Sequence, residues 1–233
     1  SDSFSESAKF SPSAEFPPVP LCLAISEEMN MSITDRCYFE YNECKTSTYV
    51  KVIVSTFTDF VNQNSGGAVF ISNSGFQING TYFTRCISYT GGGGAVYIKN
   101  DCEPVLNINI INCTFIECKA VYGGGAFIFS KSKENSILIQ NSVFLSNTVI
   151  RLNSIDNNNI YYGGSALFLH SKSGNISDSS FRFNVGKGGA CKIIAQFNDD
   201  DKRSKKVMSL ENEDTSMFIF SNCAFDNKKN PFL

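Results

Sequence analysis

The sequence predicts an all-β chain wound as a single-stranded parallel β-helix, and three observations carry that prediction. A glycine pair opening a short apolar run recurs five times, a phenylalanine motif alternates with it, and the apolar residues of both follow a period of two. Helical repeats would instead keep a constant length and an apolar spacing near 3.6.

The glycine element reads GGAVFI from Gly66, GGAVYI from Gly93, GGAFIF from Gly124, GGSALFL from Gly163 and GGACKI from Gly188. Its pairs, Gly66/Gly67, Gly93/Gly94, Gly124/Gly125, Gly163/Gly164 and Gly188/Gly189, are expected at bends. A winding must corner there with its backbone close to its neighbours, and glycine supplies φ > 0 while removing side chains that would collide.

The second element is anchored on Phe39, Phe57, Phe83, Phe115, Phe144, Phe181 and Phe225. Five residues earlier stand Val52, Ile78, Ile110, Ile139, Ile176 and Phe220, with Thr34 the only polar entry, a column expected inside. Three residues earlier stand Gly80, Asn112, Asn141, Asp178 and Asn222, types that tolerate left-handed backbone, so the strand should turn there. Two residues earlier come Ser, Thr or Cys; three residues later, Asn42, Cys86, Cys118, Asn147 and Asn184. Successive anchors lie 18 to 44 residues apart, and the variation collects in polar loops at 151–160 and 198–215. Six to seven rungs with loop insertions result. Equivalent strands about 4.8 Å apart would stack like residues on like, which accounts for near-identical columns.

Parity along the glycine-led strand points Val69, Val96, Phe127, Leu167 and Cys191 inward, together with Ile71, Ile98, Phe129, Leu169 and Ile193. The intervening Phe70, Tyr97, Ile128, Phe168 and Lys192 point outward. A stripe this apolar is either a partner surface, formed by Phe70, Tyr97, Ile128 and Phe168, or the seat of a long loop. Both readings stay open at this level.

A chain of 233 residues with a formal net charge of −2 offers no basic surface for nucleic acid. No apolar run approaches the roughly 20 residues that span a bilayer, so no membrane insertion is expected. The start, SDSFSESAKF, lacks a signal-peptide pattern, which implies an intracellular or already processed chain. Residues 1–20 are too rich in Pro and Ser for a regular rung and are expected to be an arm or cap, with the β-domain over 21–233. Open strand edges at the two ends invite end-to-end or lateral assembly.

Nine cysteines form no CxxC pair, so neither a zinc site nor any other cofactor is expected. Cys86 and Cys118 share a column in consecutive windings at a spacing that permits a disulfide. The preferred reading is a ladder of buried thiols, because the same column accepts Asn elsewhere. Sequons stand at Asn30, Asn79, Asn112 and Asn175. Catalysis finds little support. The acidic cluster Asp199, Asp200 and Asp201 sits among Lys202, Arg203, Lys205 and Lys206, the pattern of a solvated loop. His170 is the only histidine and has no acid in its strand, and no glycine run leads into a helix as a phosphate loop must.

GGA followed by an aliphatic residue, alternating with FxxN, resembles the repeat of the chlamydial polymorphic outer-membrane proteins and similar surface proteins of protists. FxxN stands at Phe39, Phe144 and Phe181, whereas Phe83 and Phe115 carry FxxC, and the likeness covers roughly residues 36–228. The resemblance implies a right-handed β-helix used as a surface-exposed adhesive domain. The chain carries no strands for a membrane barrel, so the resemblance further implies a fragment or a stand-alone relative. The expected function is a non-catalytic scaffold that binds a protein partner, a host or self surface, or a glycan, at the cell surface or outside the cell. The alternatives are an intracellular component decorating a filament or cytoskeletal assembly and, less favoured, a polysaccharide-active enzyme.

Overall fold

The computed structural model describes residues 22–25, 30–33, 37–101, 107–130, 137–150, 163–171, 173–186, 189–194 and 217–226. The amino-terminal arm, both long loops, the acidic cluster and Gly188 lie outside these residues. Every regular element among them is a strand.

The strands form three sheets, and pairing between repeats is parallel. A six-stranded sheet carries the phenylalanine motif: Thr56–Thr58, Tyr82–Thr84, Thr114–Ile116, Val143–Leu145, Ser180–Arg182 and Ala224–Asp226 in order. A four-stranded sheet follows it in the first four of these repeats: Val61–Asn62, Ile87–Ser88, Lys119–Ala120 and Thr148–Val149. The third sheet has twelve strands and turns about Val69–Asn79. One wing pairs Val69–Ser72 with Val96–Asn100 and continues through Ala126–Ser130, Leu167–His170 and Cys191–Ile194. The other pairs Phe76–Asn79 with Ile108–Ile111 and continues through Ile137–Gln140, Ser173–Ser177 and Met217–Ser221. Cys37–Ile53 runs along the whole of Val69–Asn79, and the antiparallel strands Cys22–Ile25 and Asn30–Ile33 extend that edge.

This architecture corrects the expected single-stranded right-handed β-helix. The chain is all-β and parallel between repeats, but its strands are divided among several sheets, one of them a curled half-barrel, and no single right-handed solenoid is shown. The physical reason lies in where the backbone bends. Val69–Asn79 and Cys37–Ile53 each continue as one strand, the first through the left-handed Asn73 at φ 57° and the pairing between them through register shifts between Glu40 and Tyr49, so two faces that the repeat pattern treats as separate merge into one curved sheet. The breaks that do occur are made by left-handed residues. One set is Val54, Gly80, Asn112, Asn141, Asp178 and Asn222, three residues before each Phe, with φ between 43 and 62°. A second set is Asp59, Arg85, Glu117, Ser146 and Phe183, two residues after it, with φ between 52 and 61°.

The phenylalanine column is the centre of the core. Phe57, Phe83, Phe115, Phe144 and Phe181 are fully buried, and successive ring centroids lie 5.1, 5.0, 4.6 and 4.9 Å apart with planes within 12° of parallel. Phe225 continues the stack at 4.9 Å from Phe181. Phe39 does not belong to it. It is buried, yet it pairs with Ile71 in the large sheet, so Cys37–Phe39 occupies the place of a glycine-led strand rather than a phenylalanine strand.

The glycines act by two mechanisms. Gly93 takes φ +66°, and Gly66 and Gly164 adopt the same conformation at +69° and +67°. Gly94 is required for a different reason: a Cβ there would meet the carbonyl oxygen of Gly124 at 2.2 Å and the backbone nitrogen of Lys119 at 2.6 Å. In the third repeat the left-handed residue is Gly123, not Gly124, and Gly125 stands where the other repeats carry Ala68, Ala95 and Ala166. The third repeat therefore begins one residue before the expected pair, and the fourth begins at the second glycine of its pair, with Gly164 followed by Ser165. Gly189 takes φ +76° with open space where its Cβ would stand.

Polar columns inside the stack replace ladder hydrogen bonds at the bends. The Asn147 Nδ2 donates to the Phe115 carbonyl at 3.0 Å while its Oδ1 accepts from the Cys118 amide at 2.9 Å. Asn184 repeats both contacts one layer on, with the Phe144 carbonyl and the Asn147 amide. Cys86 and Cys118 hold the same column as free, buried thiols, which is the thiol ladder and not the disulfide. Their Sγ–H groups donate to the Phe57 and Phe83 carbonyls at 3.5 and 3.7 Å.

Gly94→Val should lower the urea unfolding free energy by about 2 kcal/mol or more, because the obstacle is backbone. Val54 has the opposite problem. It is β-branched, 66 % exposed and held at φ 43°, so Val54→Asn should raise stability by about 1 kcal/mol. Equilibrium urea titrations of both variants test the assignment of the bends, and a destabilised Val54→Asn would contradict it.

Candidate functional site

Side chains alternate along a strand, so the wing led by the glycines must display one column outward. In register, that column is Tyr38, Phe70, Tyr97, Phe127, Phe168 and Lys192. Its rings stack as the core rings do, at 4.8, 5.3, 4.9 and 4.7 Å from Tyr38 to Phe168, with planes within 15° of parallel. The Lys192 ammonium stands 5.9 Å from the Phe168 ring centre and completes the column with a cation over an aromatic face.

Three of the four residues expected on this surface are in the column: Phe70, Tyr97 and Phe168. Ile128 is not. It is fully buried, in register with Ile98 and Leu169, and Phe127 takes the outward place. The cause is the third glycine of the 123–125 run, which shifts the strand by one residue and so exchanges its two faces. A like-on-like reading of Phe70, Tyr97 and Phe168 would have chosen Phe127. Tyr38 went unread because no glycine pair precedes its strand.

Exposure is graded along the column. Tyr38 is 47 % exposed, Phe70 and Tyr97 are half-buried, and Phe127 and Phe168 are buried. Beside the buried part lies a cavity of about 260 Å³ lined by Ser65, Gly92, Tyr97, Lys99, Tyr122, Phe127 and Phe129. Gly92 makes room for it, since a Cβ there would meet the Phe127 ring at 2.9 Å. Tyr122 leans over Phe127 at 6.3 Å. The polar groups at the rim are few: the Ser65 hydroxyl, which accepts from the Gly92 amide at 3.3 Å, and the Lys99 ammonium, 2.6 Å from Asp101. Aromatic walls with a small number of placed polar groups are the usual make-up of a binding cleft.

A second outward feature is the row of charged side chains at the first three of the left-handed residues after each Phe: Asp59, Arg85 and Glu117. Arg85 donates to both carboxylate oxygens of Asp59, at 2.6 and 2.7 Å, which lowers the Asp59 pKa and raises that of Arg85. Both side chains are well exposed, so the pair adds little to stability.

The remaining titratable candidates are positioned by packing. His170 is half-buried, edge-on to Phe129 with ring centres 4.8 Å apart, and burial lowers its pKa. Burial pushes the Cys113 and Cys191 thiols up to about 12 and the Cys118 thiol well above its ordinary value, so they remain protonated at neutral pH. Cys37 is disulfide-bonded. Among the described residues no group of three or more His, Cys, Asp or Glu converges as a metal site, and no helix is long and apolar enough to cross a membrane.

Comparison with protein-family models, with curated proteins and with solved structures finds no match to this chain.

The depressed His170 pKa has a signed consequence. The unfolded chain binds this proton more readily than the folded one, so the stability linked to His170 is complete above the ordinary pKa of 6.5 and declines as pH falls through the lower folded value. The urea midpoint should therefore drop more between pH 7.5 and 5.0 for the wild type than for His170→Gln. Parallel pH dependences would contradict the burial of a neutral imidazole.

Proposed function

We propose that the protein acts by binding rather than by chemistry, as a rigid β-scaffold whose outer aromatic column engages a protein partner, in the manner of an adhesin-like domain at the cell surface or outside the cell. The observation that carries this reading is the unbroken run of rings from Tyr38 to Phe168, accessible at Tyr38, Phe70 and Tyr97 and opening onto the cleft at Tyr122. Tyrosine and phenylalanine supply large contact area at low entropic cost, and lysine and serine at the rim supply orientation. The disulfide at Cys37 favours an oxidising compartment over the interior of the cell. The resemblance to surface-protein repeats points the same way.

The test is a screen of the folded protein against immobilised peptides and glycans, repeated with Tyr97→Ala and Tyr122→Ala. Both side chains are half-buried at the rim, so their removal should spare the fold. Peptide ligands are expected, and each substitution should weaken them by at least about tenfold. Glycan ligands alone, ligands indifferent to both substitutions, or cleavage of a polymer would overturn the proposal.

A further inference from the structure

Four Asn-x-Ser/Thr triplets occur in the chain, at Asn30, Asn79, Asn112 and Asn175, and the fold sorts them. The Asn30 side chain lies outside the described residues. Asn175 is exposed, but it stands within the strand Ser173–Ser177, in register with Leu138 on one side and Ile219 on the other. Asn79 is half-buried, and its Oδ1 accepts from the Asn112 Nδ2 at 3.2 Å. Asn112 occupies a bend, left-handed at φ 53°, between Ile108–Ile111 and Thr114–Ile116.

That bend is open in the middle of the stack, with a layer in place on either side at Gly80 and Asn141. The Asn112 side chain is exposed and Thr114 is half-buried, whereas Cys113 between them is buried, so the triplet turns its amide outward. The carboxamide is not needed to hold the backbone. The Asn112 main-chain amide donates to the Gln140 carbonyl at 3.0 Å, and the Ile111 carbonyl accepts from the Gly80 amide at 3.1 Å. The preceding layer leaves room as well, because Gly80 stands at the equivalent bend and a Cβ there would meet nothing nearer than the Val54 Cγ2 at 3.6 Å.

We propose that Asn112 is a modification site that carries an N-linked glycan; this inference rests on the reading of the protein as an exported binding scaffold. In the transfer, the Asn112 Nδ2 attacks the anomeric carbon of a polyprenyl-diphosphate-linked oligosaccharide. The carbon–nitrogen bond forms as the bond from that carbon to the diphosphate oxygen breaks. The polyprenyl diphosphate leaves, and the nitrogen loses one of its two protons to a base. The N–H that remains can still donate to the Asn79 Oδ1. A glycan on Asn79 would stand within one strand spacing of one on Asn112, so the pair holds a single glycan. A bulky, hydrated sugar at this bend covers the junction of the second wing with the six-stranded sheet and leaves the aromatic column of the first wing bare.

The test uses the full chain, expressed behind a secretory leader in a eukaryotic cell line and purified from the medium. Treatment with peptide-N-glycosidase in heavy-oxygen water, followed by peptide mass spectrometry, reads each triplet, because a released glycan leaves a labelled Asp. Label at position 112 in most copies is expected, with Asn79 unlabelled. Asn112→Asp retains a residue suited to left-handed backbone and Thr114→Ala retains the asparagine; each should remove the glycan while the circular dichroism spectrum stays unchanged. An unlabelled Asn112 in the secreted, folded wild type would overturn the proposal. So would label at Asn79 with Asn112 bare, or label that persists in Thr114→Ala. The peptide screen reads the aromatic column whether or not Asn112 is modified, so the two readings fail separately.

Discussion

One length governs this molecule: the separation of about 4.8 Å between parallel strands of successive repeats. Aromatic rings attached to such strands are held at a distance where near-parallel stacking is favourable, and both columns obey it, with centroid separations of 4.6 to 5.1 Å inside and 4.7 to 5.3 Å outside. The same separation forbids side chains where the backbone of one repeat faces the next at a bend. Gly67 against the Gly94 carbonyl and Gly94 against the Gly124 carbonyl are the clearest instances. Aromatic columns and glycine bends are thus two responses to a single constraint.

The constraint also explains why polar residues are tolerated in the core. Where a strand breaks, a main-chain amide and carbonyl lose their ladder partners, and leaving either unpaired in the interior costs about 1–3 kcal/mol. The Asn147 and Asn184 carboxamides meet an amide and a carbonyl of the preceding layer with one planar group. The Ser142 hydroxyl accepts from the Cys113 amide at 3.2 Å and donates to the Gln140 carbonyl at 2.9 Å. A thiol in the same columns can donate to the carbonyl but accepts only weakly, so Cys86 and Cys118 are poorer substitutes that add apolar volume.

Legibility from sequence followed the strength of this coupling. The interior columns of Phe, of Ile before it, and of Asn or Cys after it were readable, because each stacks on its own kind from Phe57 to Phe181. The bend three residues before each Phe was readable through Gly80, Asn112, Asn141 and Asp178. The bend two residues after it was not. Asp59, Arg85, Glu117, Ser146 and Phe183 share a backbone conformation and no chemistry. The merging of two wings into one curved twelve-stranded sheet was equally hidden, since it depends on strand pairing continuing along Val69–Asn79 through the left-handed Asn73. At the binding face, one additional glycine sufficed to exchange Ile128 for Phe127. Phe39, with the right local string, lies in another column because its neighbours pair with Val69 and Phe70.

What the stack offers for function is repetition on the outside of a firmly ordered inside. The strand spacing that packs Phe57 to Phe225 also fixes the rings of Tyr38, Phe70 and Tyr97 in one line, so an aromatic face costs little further ordering when it binds. The most direct test of the shared constraint is a double-mutant cycle on the central column, using Phe115→Leu and Phe144→Leu as neighbours and Phe83→Leu with Phe181→Leu as a distant pair. Stacking predicts a coupling of about 0.5–1.5 kcal/mol for the neighbours and additivity for the distant pair. Additive effects at Phe115 and Phe144 would contradict it.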